Sequence, residues 1–231
     1  MIPKASPMNQ FKVFGHYYSV QLSGACTLEC RSVLEIISPN TEPTDIAMLS
    51  SQVPNAIFIM MNPGSSKPLA GTEKVITTDL MDQLEVSLVP AEPDVTQYQV
   101  MQVMSQCNWS HVRVLNLSDI RQAVSMKFIS QCRTLKTQSG FTAHSIFSAE
   151  RAIELSRKLC LAEKKAVPMV FAWGVNKGLD PLIEECLKKV PQSACFGLLK
   201  SKTHNKYFHP LPRLKSSRVK WVNDMVAQIK A

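Results

Sequence analysis

The sequence lacks any long apolar run. Its longest, Ala56 to Met61 and Val167 to Trp173, are far too short to span a bilayer, so no membrane partner is expected. Met1 to Tyr18 holds Lys4 and Lys12 but no apolar signal core, and a cytoplasmic location is the expectation. No C-x-x-C pair occurs among the seven cysteines, at 26, 30, 107, 132, 160, 186 and 195, so neither a zinc ribbon nor an iron–sulfur cluster is signalled. Their odd number and scatter fit reduced thiols without a disulfide framework. Cys26 and Cys30, four apart, could share one helix face as half of a metal site, but two small buried residues are the simpler reading. Acidic residues are absent between Glu185 and Asp224, and aromatic residues are absent from Ser65 to Gln97. There is no internal repeat and no low-complexity linker. A single domain over 1–231 follows, with an N-terminal extension at 1–50, a long insert at about 65–110, and a monomeric state.

What is present is a chain of 231 residues, 45% hydrophobic and 19% charged, long enough for a full hydrophobic core. That composition excludes a disordered or collagen-like chain. Lys plus Arg total 26 against 18 Asp plus Glu, a formal net charge of +8, which favours polyanionic partners such as nucleic acid.

Alternating stretches in Phe11 to Ile37 (Tyr18, Val20, Leu22, then Val33, Leu34, Ile36) could form one or two strands. Asn55 to Met61 is a continuous apolar run, as expected for a strand covered on both faces, and it stops at Asn62-Pro63-Gly64-Ser65-Ser66. Tyr98, Met101 and Met104 predict a helix over Asp94 to Cys107. His111 to Leu117 is a second strand, Val167 to Trp173 a third and Ala194 to Leu199 a fourth. Ser148 is placed to cap a helix reaching about Lys164. Asp180-Pro181 reads as an N-cap and first-turn proline for a helix to Val190, and a last helix starts near Ser216 or Ser217. Strands alternating with helices point to a single three-layer α/β domain with a mainly parallel four-stranded central sheet. On such sheets ligands bind at the carboxyl ends of the strands. That rule selects the Asn62-Pro63-Gly64 loop, Asn116 to Arg121, Gly174 to Lys177, and Lys200 to Arg213.

The acid-free stretch carries nine basic residues, among them Lys200, Lys202, Lys206, Arg213 and Lys215, with His204, Tyr207, Phe208 and His209 between them. A basic, proline-broken loop with aromatic residues at a strand end suits phosphate contacts and base stacking. A solvated basic face is the alternative. Taken singly, the motifs are weak: Asn-Pro-Gly after a strand is often only a turn, and an Asn ending a strand often bonds its own backbone. His16, His111 and His144 have no metal-ligand spacing and read as structural or surface residues, and Trp109 and Trp221 as core or helix-face residues. Asn176 and Lys177 could touch phosphate or simply form a solvated loop.

The order of the motifs resembles the uracil-DNA glycosylase superfamily. Met60-Met61-Asn62-Pro63-Gly64 looks like its first motif, and Leu115-Asn116 is similar to the strand end that carries a base-reading Asn. Phe171-Ala172-Trp173-Gly174 resembles its Trp-Gly strand end, and His209-Pro210-Leu211-Pro212 its last motif, with Leu where Ser is usual. From about Tyr17 to Arg213 the chain resembles still more closely a prokaryotic and phage family of uncharacterised function.

That resemblance implies a DNA N-glycosylase with a uracil-DNA-glycosylase-like fold and no metal or organic cofactor, acting on double- or single-stranded DNA. By the same resemblance Asn62 orients the attacking water and His209 donates to the departing base. Met61, Pro63, Gly64, Ser65, Asn116 and Gly174 would bind the flipped nucleotide, with Asn116 reading the base edge. Lys200, Lys202, Lys206, Leu211, Arg213 and Lys215 would contact the DNA. The family's stacking aromatic soon after the first motif is missing here, which would open the pocket to a larger modified base such as one found in phage DNA. The alternative is a non-catalytic nucleic-acid- or nucleotide-binding protein on the same fold, and a third reading is a hydrolase or transferase acting on free nucleotides.

Overall fold

The strand Ala56–Met60 (AIFIM) has all five residues buried, because successive side chains enter opposite cores. Ile57 and Ile59 join one apolar cluster, and Ala56, Phe58 and Met60 join the other. Full burial of such an aliphatic side chain stabilises by about 1.5–3 kcal/mol, so this strand anchors both layers. A computed structural model describes residues 11–22, 26–39, 41, 45–70, 74–164, 166–191 and 193–231.

The strands are β1 (Lys12–Gln21), β2 (Thr27–Ile37), β3 (Ala56–Met60), β4 (Lys67–Pro68), β5 (Lys74–Thr77), β6 (Val89–Glu92), β7 (His111–Asn116), β8 (Met169–Ala172) and β9 (Cys195–Phe196). They form one mixed sheet in the order β4-β6-β1-β2-β7-β3-β8-β9, with β5 also pairing β1. The helices are α1 (Ile46–Leu49), α2 (Val95–Cys107), α3 (Ser125–Thr134), α4 (Ala152–Lys158), α5 (Asp180–Leu187) and α6 (Lys215–Lys230). α2 and α6 cover one face of the sheet through Val100, Met104, Trp221 and Met225. α3, α4 and α5 cover the other through Phe128, Leu155 and Ile183. The chain is therefore a single mixed α/β domain.

The four-stranded, mainly parallel sheet is corrected. The four segments expected from the sequence do form a contiguous parallel block, β7-β3-β8-β9. β2 adds to it antiparallel at β7, and β1, β6 and β4 continue antiparallel beyond. Residues 12–37, expected within an extension, are thus two long strands inside the sheet. The expected insert supplies β4, β5, β6 and α2. Cys26 and Cys30 flank a strand start, not a helix face.

Several ends also differ. The helix expected from Ser148 to Lys164 is only Ala152–Lys158, and Cys160, at φ 54°, turns the chain out of it. α5 stops at Leu187, three residues short of Val190. β9 is two residues long because the chain then leaves the sheet: Tyr207 bridges both Gly174 and Leu199, and Phe208 N–H donates to Leu198 O.

The amino ends of β3 and β7 are tied by a buried charge cluster. Arg113 donates through Nε to Glu35 Oε1 (2.7 Å) and through Nη2 to the carbonyls of Ser50 and Gln52 (2.9 and 3.0 Å). Its Nη1 donates to Lys158 O (3.0 Å), and His111 Nε2 lies 2.8 Å from Glu35 Oε2. Arg113 and Glu35 are both inaccessible to solvent, and each nitrogen of the guanidinium has an acceptor. Among the described residues no helix is long and apolar enough to cross a membrane.

Candidate active site

At the opposite, carboxyl end of the parallel strands lies a cleft of about 850 Å³. Its walls come from the loops after β3 and β8, the first turn of α2, and the His209–Leu211 segment. Asn62, Met61, Pro63, Gly64, Ser65, Gly174, His209 and Leu211, all selected from the sequence, line it together.

Local chemistry holds these groups in place. After β3 the chain turns at Pro63 and at Gly64, whose φ of +66° is the left-handed conformation glycine adopts freely. Asn62 Nδ2 donates to Gln122 O (2.7 Å) and Ile120 O (3.2 Å). Both amide hydrogens are thereby engaged, and Oδ1 is the atom left to face the cleft. The loop that supplies these carbonyls is itself anchored, since buried Asp119 accepts from Tyr18 OH (2.7 Å) and Arg151 Nη1 (2.6 Å). Burial raises the Asp119 carboxyl to about 6 despite Arg151. Ser66 bonds Tyr17 OH (2.9 Å), and Arg121 Nε donates to Ser66 O (3.0 Å), closing the far side of the turn.

Gly174, at φ +97°, brings the end of β8 against the His209 segment: Gly174 N–H donates to Tyr207 O (2.9 Å), and a Cβ there would lie 3.9 Å from His209 Cβ. His209 Nδ1 accepts the Leu211 N–H (3.2 Å), and burial lowers the ring pKa to about 4. A neutral ring that accepts at Nδ1 carries its proton on Nε2, so His209 offers an N–H donor at neutral pH.

Two expected roles change place. Asn116 is buried at 1% exposure and does not line the cleft, because Arg31 stands before it, donating from Nη2 to Asn116 Oδ1 (3.0 Å). Lys206, expected to contact DNA, is turned inward, pairing with Asp180 and donating to Asn176 O (3.2 Å). Lys200, Lys202, Arg213 and Lys215 are exposed, alongside Phe208 and Leu214, outside the cleft lining.

Among the lining residues that the sequence motifs do not mark are Arg31, Asp94 and Tyr98. Asp94 caps α2, its Oδ1 accepting from the N–H groups of Thr96 (2.9 Å) and Gln97 (3.1 Å), while Gln97 Oε1 accepts from Asp94 N–H. That D-x-x-Q capping box is a sequence-level signature of a helix start, and it puts the ring of Tyr98 in the first turn. Arg31 reaches the cleft through a β-bulge. The β1–β2 register shifts between His16 and Tyr17, leaving Ser32 as the extra residue. Val33 faces the cluster under α3 to α5, as do Leu28 and Cys30, so the shift turns Arg31 toward Tyr17 and the α2 side.

Among the described residues no group of three or more His, Cys, Asp or Glu could hold a metal ion, and all seven cysteines are free thiols. His16, His111 and His144 are buried with partners Ser32, Glu35 and Ser118. No protein-family model matches the chain, and comparison with curated proteins and with solved structures gives no match.

Proposed function

We propose that the chain is a DNA N-glycosylase that flips a modified or damaged pyrimidine into this cleft and hydrolyses its bond to the sugar, leaving an abasic site. One observation carries the reading: a single cleft holds an acceptor-only amide, Asn62 Oδ1, and a neutral imidazole donor, His209 Nε2–H, each fixed by hydrogen bonds from behind. Base departure passes through an oxocarbenium-like state, with negative charge arriving on the base. Asn62 accepts a hydrogen from water and orients its lone pair toward the sugar without removing the proton outright. His209 donates to an oxygen of the departing base, which lowers the cost of its developing charge. A flipped nucleotide fits a cleft of this size, with room for an enlarged base such as those of phage DNA, and Tyr98 supplies an aromatic wall. The exposed Lys200, Lys202, Arg213 and Lys215 would meet the phosphates, with Leu211 at the mouth.

Alkali treatment of oligonucleotides carrying uracil, mismatched or modified pyrimidines, and of phage DNA, tests this reading. Strand breaks that vanish in both Asn62→Ala and His209→Ala are expected. One observation favours the non-catalytic alternative: Asn116, the expected base reader, has its acceptor engaged by Arg31. DNA binding without alkali-labile sites on any substrate would select that alternative.

A further inference from the structure

The floor of the cleft contains hydrogen-bond donors that the protein does not satisfy. Arg31 is 2% exposed, yet its Nε and Nη1 have no acceptor in good hydrogen-bond geometry, the Tyr17 hydroxyl being a nearby oxygen that acts on the group, and its Nη2 is committed to Asn116 Oδ1. Asn116 Nδ2 beside it is likewise buried without a partner. Arg113, at the other end of the same sheet, has an acceptor for each of its three nitrogens. A buried guanidinium with open donors costs stability, and water, an ion or a ligand group lowers that cost by completing them.

The open positions are all donors, and two of the three belong to a cation withdrawn from water. A neutral carbonyl would satisfy the hydrogen bonds but add nothing to the partial compensation that Asp94 and Asp119 give the charge from a distance. An oxyanion satisfies both, and the guanidinium matches its paired oxygens. Asp94 and Glu92 are the carboxylates lining the cleft. Asp94 directs Oδ1 to the amino end of α2, where two N–H groups and the helix dipole balance it, and Glu92 pairs with Lys67. Neither forms an ion pair with Arg31, although the Asp94 charge acts on it across the cleft.

We infer that Arg31, positioned by Asn116, is an oxyanion receptor, and that the cleft takes a nucleotide whose carboxylate or phosphate group sits on that guanidinium. In its substrate class this rests on the glycosylase reading, which it deepens: the excised pyrimidine carries an anionic substituent, or the site grips a phosphate of the flipped nucleotide.

Calorimetric titration with two matched pairs separates the sources: 5-carboxyuracil against thymine, and deoxyuridine 5′-monophosphate against deoxyuridine. In at least one pair the anionic member binds roughly 10- to 150-fold more tightly, the range for a hydrogen bond to a charged group. The responding pair names the source. Arg31→Met removes the preference, while Arg31→Lys keeps its sign at reduced size. Equal affinity within both pairs, or no binding by any member, overturns the assignment, and the wild-type comparison alone suffices if Arg31→Met does not fold. Alkali cleavage of oligonucleotides containing 5-carboxyuracil or thymine runs alongside. An anionic preference without strand breaks removes the glycosylase reading and keeps the receptor. Strand breaks without the preference do the reverse.

Discussion

Replacing Asn62 with Asp changes one atom of the cleft, and the structure gives that atom two neighbours of the wrong kind. Nδ2 donates to Gln122 O at 2.7 Å and Ile120 O at 3.2 Å, so Asn62→Asp sets a carboxylate oxygen against two carbonyl oxygens. Two hydrogen bonds are lost, about 1 kcal/mol each, and repulsion adds to the loss. The residue is half-buried, which keeps the total near about 3 kcal/mol at pH 7.5. For a domain of this size that lowers Tm by roughly 6–12 °C. The sign with pH follows from linkage. The new carboxyl ionises less readily folded than unfolded, so its folded pKa lies above about 3.9. The deficit relative to wild type is then smallest below about pH 4 and grows as pH rises through the folded pKa. Asn62→Ala adds no ionisable group, and its deficit stays flat across the same range. Urea unfolding of the three proteins at pH 4.5, 6 and 7.5 measures this. An Asn62→Asp protein within about 0.5 kcal/mol of wild type at pH 7.5, or a deficit that does not move with pH, would refute the amide orientation.

Burial lowers His16 to about 3 and His144 and His209 to about 4, while burial raises Asp119 to about 6. Near pH 5 unfolding then takes up three histidine protons and releases one from Asp119, a net two, so stability falls with acidification by about 2.7 kcal/mol per pH unit. Urea midpoints unchanged from pH 6 to 4.5 would count against these burials. Arg113→Met leaves Glu35 buried with only His111 beside it and should cost about 3–5 kcal/mol, read by the same unfolding assay. Lys206→Ala should lower Tm without changing the salt dependence of DNA binding, because Lys206 serves Asp180 and Asn176. Lys200→Ala and Lys202→Ala should leave Tm unchanged and each reduce the slope of log K against log salt by about 0.9 if they meet phosphates.

The parallel half of the fold was legible because β3 and β8 at its centre are apolar runs ending in turn residues. Ala56–Met60 and Met169–Ala172 need both faces covered, and no other arrangement buries them. The antiparallel half hid itself. β1 and β2 bury His16, Arg31, Ser32 and Glu35, which break the alternation that marks a strand, and β4, β5 and β6 are at most four residues long. At the site, the loops after β3 and β8 and the His209 turn could be placed because each follows an apolar strand or carries proline. Asn116 sits at the expected strand end, yet which residue faces the ligand there depends on a register shift in a different strand. Lys206 shows the same limit: nothing in a lysine-rich loop marks which member turns inward to meet Asp180.

The extra residue at Ser32 therefore has a consequence for how such a cleft is shaped. It breaks the odd–even alternation of β2: Leu34 and Ile36 keep their places in the core, and Arg31 lies on their side of the sheet in spite of its odd number. A chain shorter by that one codon would set Arg31 against Tyr17 and Val33 against His16 in unbroken alternation, so Arg31 would stay on the cleft side and Cys30 in the opposite core. What the extra residue adds is a local kink and twist in β2 beside the cleft floor, so its loss would shift the guanidinium within the cleft and not remove it.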